Sequence, residues 1–150
     1  MRKTILRSVC ALAVVLCLVA LMPRPKPLYA AVKPETVLFY TSASPEQNTR
    51  CSVTNTGTYY EVRLAAADIA DALKRLPPYD YCTVTLKGSA SRIIAALDVR
   101  QCARVLVAGG TLYSGYSPYL AKNTAERANI QIFEKDGKLT IGSPYIYGSY

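Results

Sequence analysis

Histidine and tryptophan are absent from the 150 residues, and phenylalanine and methionine occur only twice each. Without histidine there is no side chain that titrates unperturbed near neutral pH, no Ser-His or Cys-His nucleophile pair and no histidine-bearing zinc site. CxxC, GxSxG, GxGxxG and P-loop spacings are missing as well, which removes the motif-based routes to redox, hydrolase, dinucleotide and nucleotide chemistry. Acids are few, ten against eighteen basic residues, and most stand singly. Asp68 and Asp71 fall on one side of an expected helix beside Lys74 and Arg75, an arrangement that reads as a solvated face rather than an acid/base or metal pair. Cys51, Cys82 and Cys102 have no base near them in the sequence to activate a thiolate. A non-enzymatic role with no cofactor and no metal is therefore expected. An acid pair that meets only in space is the route by which an enzyme would still arise.

What is present begins with charge. The net charge is +8, but Arg2, Lys3, Arg7, Arg24 and Lys26 stand in the first thirty residues without one acid. Residues 31–150 carry thirteen basic and ten acidic residues, a net of +3. That balance provides no basic stripe, so no nucleic acid partner is expected. The basic start is followed by an uncharged, mostly apolar run from Ser8 to Met22, the n-region and h-region of an export signal. Fifteen residues are short for a span, which takes about 20. Leu28-Tyr29-Ala30 puts a small residue at a cleavage position, giving a mature chain from Ala31. The alternative is an uncleaved signal-anchor that holds the protein to the membrane through residues 5–22. The expected organisation is residues 1–30 as signal peptide or signal-anchor and residues 31–150 as a single domain. Its location would be extracellular or in the cell envelope, membrane-anchored if the signal is kept.

Periodicity outlines that domain. Thr36–Thr41 (TVLFYT) is a short strand, and Cys51–Thr54 with Thr58–Leu64 reads as a hairpin around Asn55-Thr-Gly57, with Tyr60, Val62 and Leu64 sharing a face. From Leu64 to Leu76 the period changes, with Ile69, Leu73 and Leu76 at helical spacing, alanines in the stripe and Pro77-Pro78 as the stop. Tyr81–Lys87 alternates with Cys82, Val84 and Leu86 inward, Ser89 is an N-cap candidate, and Arg92–Leu97 is a short helix. Arg104–Ala108 and Thr111–Tyr116 flank a Gly109-Gly110 turn. The last hairpin is the clearest: Asp136-Gly137 offers the positive-φ corners of a two-residue turn, so Lys135 faces Lys138 and Ile132 faces Ile141. Ile130, Ile132, Leu139 and Ile141 then share one face, which needs a cover. The fold class is α+β, a two-layer sandwich of mostly antiparallel sheet with two amphipathic helices on one face.

Export permits disulfides. A Cys51–Cys102 bridge and three buried thiols are both open, and Cys82, in phase with Val84 and Leu86, reads as a core residue. Tyrosine is the unusual component: twelve in all, clustered at Tyr113, Tyr116, Tyr119 and at Tyr145, Tyr147, Tyr150. These six are the candidate interaction surface, with half-buried β-strand rings as the plainer reading.

Tyr113-Ser-Gly-Tyr-Ser-Pro118, Asn129-Ile-Gln-Ile132 and Lys138–Tyr150 (KLTIGSPYIYGSY), reaching back to Val84 through KGSASRIIAAL, resemble the C-terminal signature of the YwmB-like family. The resemblance implies an exported protein of Gram-positive spore formers with a TATA-box-binding-protein-like fold, no assigned activity and a sporulation association. The expected function is a non-enzymatic binding or assembly role in the envelope, with a protein or cell-wall partner. A module that binds or acts on cell-wall glycans is the alternative.

Overall fold

The computed structural model describes residues 2–21, 24–45, 51–121 and 128–147. Helix α1 spans Arg2–Leu21, and its side chains from Val9 to Ala20 are exposed. Among the described residues no helix is long and apolar enough to cross a membrane. A four-residue helix α2, Leu28–Ala31, leads into β1 (Thr36–Thr41), β2 (Ser52–Asn55) and β3 (Tyr60–Ala65). A 3-10 turn at Ala66–Asp68 runs into α3 (Ile69–Ala72), followed by β4 (Tyr81–Lys87) and α4 (Ala90–Ala96). Strands β5 (Arg100–Val107), β6 (Gly110–Tyr116), β7 (Ile130–Lys135) and β8 (Lys138–Ser143) complete the chain.

The strands form one antiparallel sheet in the order β2-β3-β1-β4-β8-β7-β6-β5. Its inner face follows from period-two alternation carried across the register. Val37 lies opposite Leu64 and Val84, Val84 opposite Ile141, and Ile141 opposite Ile132. All of these, with Phe39, Val62, Leu139 and Ile130, are fully buried. The last hairpin forms as its residues require: Lys135 faces Lys138, and Asp136 and Gly137 take φ of 51° and 71°. The same mirror-image turn closes β5 on β6, with Ala108 and Gly109 at its corners (φ 48° and 76°), one residue earlier than the Gly109-Gly110 turn of the sequence.

Helices α2, α3 and α4 lie on this inner face, giving the α+β two-layer arrangement, with Leu28, Ala72, Ala90 and Leu97 in one cluster with the sheet residues. The long helix expected over Leu64–Leu76 is reduced to α3 and its 3-10 lead-in. Leu64 and Ala65 pair with Val37 and Thr36, so sheet pairing takes the residues that would have opened the helix. Ile69, Leu73 and Leu76 still pack against the core. Helix α4 is capped from a distance. Ser89 makes no side-chain cap, and Glu134 Oε1 on β7 accepts the Ala90 N–H at 3.2 Å.

The folded unit takes in residues before Ala31. Leu28 is 2% exposed, and the Tyr29 ring meets Phe39 edge-on at 5.5 Å. Lys26 donates to Tyr119 O at 2.9 Å and accepts from Ala121 N at 3.0 Å, a short parallel bridge to Leu120. A boundary between residues 30 and 31 runs through this packing.

A buried polar knot ties the ends of α4, β6 and β8 to the start of β7. Asn129 Oδ1 accepts from Ser117 N at 2.7 Å, and its Nδ2 donates to Ser117 O at 2.8 Å. Ser117 Oγ donates to Leu97 O at 2.5 Å and Ser143 Oγ to Asn129 O at 3.0 Å.

Candidate binding surface around Tyr147

On β1 the residues out of phase with Val37 and Phe39 point to the outer face, and Tyr40 is the last large one. The sheet register sets Glu61 of β3 and Tyr81 of β4 opposite it on either side. Tyr59, just before β3, shares that side. The fourth ring comes from the C-terminal segment. After the cis Ser143–Pro144 bond the chain turns back over the outer face, and Ile146 N donates to Gln131 Oε1 of β7 at 3.2 Å. The crossing is tight: a Cβ at Gly142 would overlap Tyr145 O and Ile146 N, so only glycine fits there.

Tyr147 then lands on the outer end of β1 and β4. Its ring stacks on Tyr81 (centroids 5.3 Å apart, planes 26° apart) and lies 4.9 Å from Tyr40. Tyr59 stands edge-on to both Tyr81 and Tyr147, at 5.6 and 5.0 Å. Centroid separations of this size with edge-to-face or offset planes are the favoured arrangement for aromatic rings. The Tyr40 hydroxyl lies 3.1 Å from both Glu61 Oε2 and Tyr147 O, and its single proton serves one at a time. Tyr40 is buried, while Tyr59, Tyr81 and Tyr147 are half-buried. Arg63 Nη2 sits 3.4 Å from Glu61 Oε1 at the rim.

The electrostatics raise the pKa of two of these phenols, Tyr40 and Tyr59. Burial, then the negative charge of Glu61, raises the Tyr40 pKa well above the usual phenol range, against the opposing pull of Arg63. Tyr59 is raised chiefly by its hydrogen bond with Tyr81. A cluster of tyrosine rings with one carboxylate beside it offers stacking surface and hydrogen bonding.

The six tyrosines singled out in the sequence are distributed as follows. Tyr113 faces inward, opposite Ile132, and packs against the core. Tyr116 ends β6 opposite Arg100. Tyr119 is exposed over a hollow of about 360 Å³ that Arg24, Lys26 and Leu97 also line. Tyr145 lies half-buried in the returning segment, Tyr147 is the centre of the ring cluster, and Tyr150 lies outside the described residues. Tyr113 and Tyr147 are thus on opposite sides of the sheet. Tyr40, Tyr59 and Tyr81, the partners of Tyr147, were not among the six. The available signal was the alternation that puts Tyr40 and Tyr81 out of phase with the core residues beside them.

Asp71 pairs with Lys74 at 3.2 Å on an exposed surface. Among the described residues no group of three or more cysteine or acidic side chains is placed to hold a metal ion. Cys82 is buried, its thiol pushed up to about 12 mainly by desolvation. Cys51 stands beside β2 and Cys102 within β5, at opposite edges of an eight-stranded sheet. Seven strand spacings at about 4.8 Å each put them far beyond bridging distance within one chain. A second hollow, about 590 Å³, opens between the Ala108–Gly109 and Asp136–Gly137 turns.

No family model, curated protein or solved structure matches the chain.

Proposed function

We propose that this protein is an exported, YwmB-like cell-envelope protein that works by binding or assembly rather than catalysis, and that Tyr59, Tyr81 and Tyr147 form its contact surface. The observation that carries the reading is the ring cluster. Three half-buried rings from three distant parts of the chain are locked against one another, so they offer rigid, amphipathic area at little entropic cost. Export rests on Arg2, Lys3 and Arg7 ahead of the uncharged run to Met22. The sporulation association rests on the family resemblance alone.

The half-buried rings beside Glu61 favour a second reading, a cell-wall glycan whose sugar rings stack on tyrosine while hydroxyls bond the carboxylate. Retention on purified peptidoglycan, compared between the parent chain and Tyr59→Ala and Tyr81→Ala, separates the two. Loss of retention in folded variants supports the glycan. Absence of retention throughout, with an envelope protein cross-linked through this face, supports a protein partner. A partner that is held equally by both variants refutes the surface.

A further inference from the structure

Strand β5 closes one edge of the sheet, and its residues from Arg100 to Leu106 are exposed on both sides, Val105 at 55% and Leu106 at 77%. The opposite edge, β2, is only four residues long. Natural sheets blunt such edges with bulges, charge or cover. Here the protection is partial. The register slips between Arg100 and Ala103, and Gln101 takes a φ of 51°, so the first residues bend out of line. From Ala103 to Val107 the pairing with β6 is regular and the edge is straight.

We propose that two copies of this chain pair antiparallel along β5, joining their sheets into one. The register follows from the turn. A two-residue mirror-image loop at Ala108–Gly109 makes Val107 and Gly110 the hydrogen-bonded pair. Val105 and Ala103 therefore also bond inward to β6, and the N–H and C=O of Arg104 and Leu106 point to the open edge. Strand addition must use those outward groups. Setting Arg104 against Arg104 of the second copy places like charges opposite each other, which is unfavourable. Setting Leu106 against Leu106 leaves only three strand residues before the turn. The register centred on Val105 pairs Arg104 with Leu106, Leu106 with Arg104 and Ala103 with Val107. Val105 then meets Val105 at a non-hydrogen-bonded position. It satisfies four outward backbone pairs, puts aliphatic side chains together and ends where bulge and turn end the straight segment. A strand of five residues per copy is a small interface, so the association is reversible and concentration-dependent. This inference rests on β5 alone and is independent of the tyrosine surface.

The test is sedimentation equilibrium of the full chain in a mild detergent that covers the apolar helix α1, with two substitutions. Leu106→Lys is on an exposed position and leaves the β6 pairing intact. It is expected to raise the dimer dissociation constant at least tenfold. Val105→Cys in a Cys102→Ser background is expected to oxidise to a disulfide-linked dimer, since directly opposed non-hydrogen-bonded residues lie within disulfide reach. Thr54→Cys on the β2 edge, in the same background, is the control and is expected to cross-link at least tenfold more slowly. A monomer at every concentration overturns the proposal. So does a dimer unchanged by Leu106→Lys, or Val105→Cys that cross-links no faster than the control.

Discussion

Replacing Leu28 tests where the folded domain begins. Leu28 is 2% exposed and sits in the same cluster as Phe39, Cys82 and Leu120, although a signal cleaved after Ala30 would discard it. Truncation of a fully buried leucine to alanine costs about 3 kcal/mol, from lost transfer energy plus the cavity left behind. A chain beginning at Ala31 loses more: the Leu28 side chain, the Tyr29 ring against Phe39, and both backbone bonds between Lys26 and the 119–121 segment. Adding about 1 kcal/mol for each hydrogen bond and for the ring contact brings the loss to roughly 6 kcal/mol. That approaches the whole stability of a typical domain, about 5–15 kcal/mol. Urea unfolding followed by far-UV circular dichroism is the assay, comparing chains that begin at Arg24 and at Ala31 with Leu28→Ala. Leu28→Ala is expected to lower the midpoint with an unchanged slope, and the chain from Ala31 to be largely unfolded in buffer. If the chain from Ala31 unfolds at the same midpoint as the chain from Arg24, the packing argument is wrong. The intact mass of the native protein carries the same expectation into the cell, with an N-terminus upstream of Leu28.

Three further expectations concern buried groups. Asn129→Ala removes the side chain that holds both backbone groups of Ser117. It is expected to cost about 2–4 kcal/mol in urea unfolding, because buried amide and carbonyl groups are left unpaired; a loss under 1 kcal/mol would show that the knot is dispensable. The Thr83 hydroxyl is buried without a partner, so Thr83→Val is expected to stabilise the protein by about 1 kcal/mol, and a lower melting temperature would contradict this. Burial holds the Cys82 thiol at about 12 and raises the Tyr40 and Tyr79 phenols. The unfolded chain gives up its thiol protons near pH 8.5 and the folded chain does not, so deprotonation favours unfolding. Stability is thus expected to be intact below about pH 8.5 and to fall toward pH 12, with a shallower fall in Cys82→Ala. An identical slope in that variant would assign the alkaline loss elsewhere.

Local chemistry made much of this fold legible. Asp136-Gly137 has few alternatives to a two-residue turn, and once that turn is fixed the period of two places Ile130, Ile132, Leu139 and Ile141 on one buried face. Tyr81–Lys87 is legible from the same alternation, and Thr36–Thr41 as a short apolar run. The helix expected over Leu64–Leu76 is shortened because its opening residues satisfy a helical stripe and a strand face equally. The partner strand decided between them, through Val37 and Thr36. Leu28–Ala31 gave no signal, since four residues carry no period. The tyrosine ring cluster was hidden for a related reason. Tyr40, Tyr59, Tyr81 and Tyr147 are drawn together by register across three strands and by a returning segment 107 residues from its partner. Nothing in the sequence around any one ring encodes the others. The place of β5 in the sheet is of the same kind: its apolar run is that of an interior strand, and only the tertiary pairing order leaves it at an open edge. Side-chain periodicity and turn residues are properties of a few neighbours, so the sequence by itself determined the strands. Which strands meet depends on the burial of the whole inner face, and that only the tertiary structure decided.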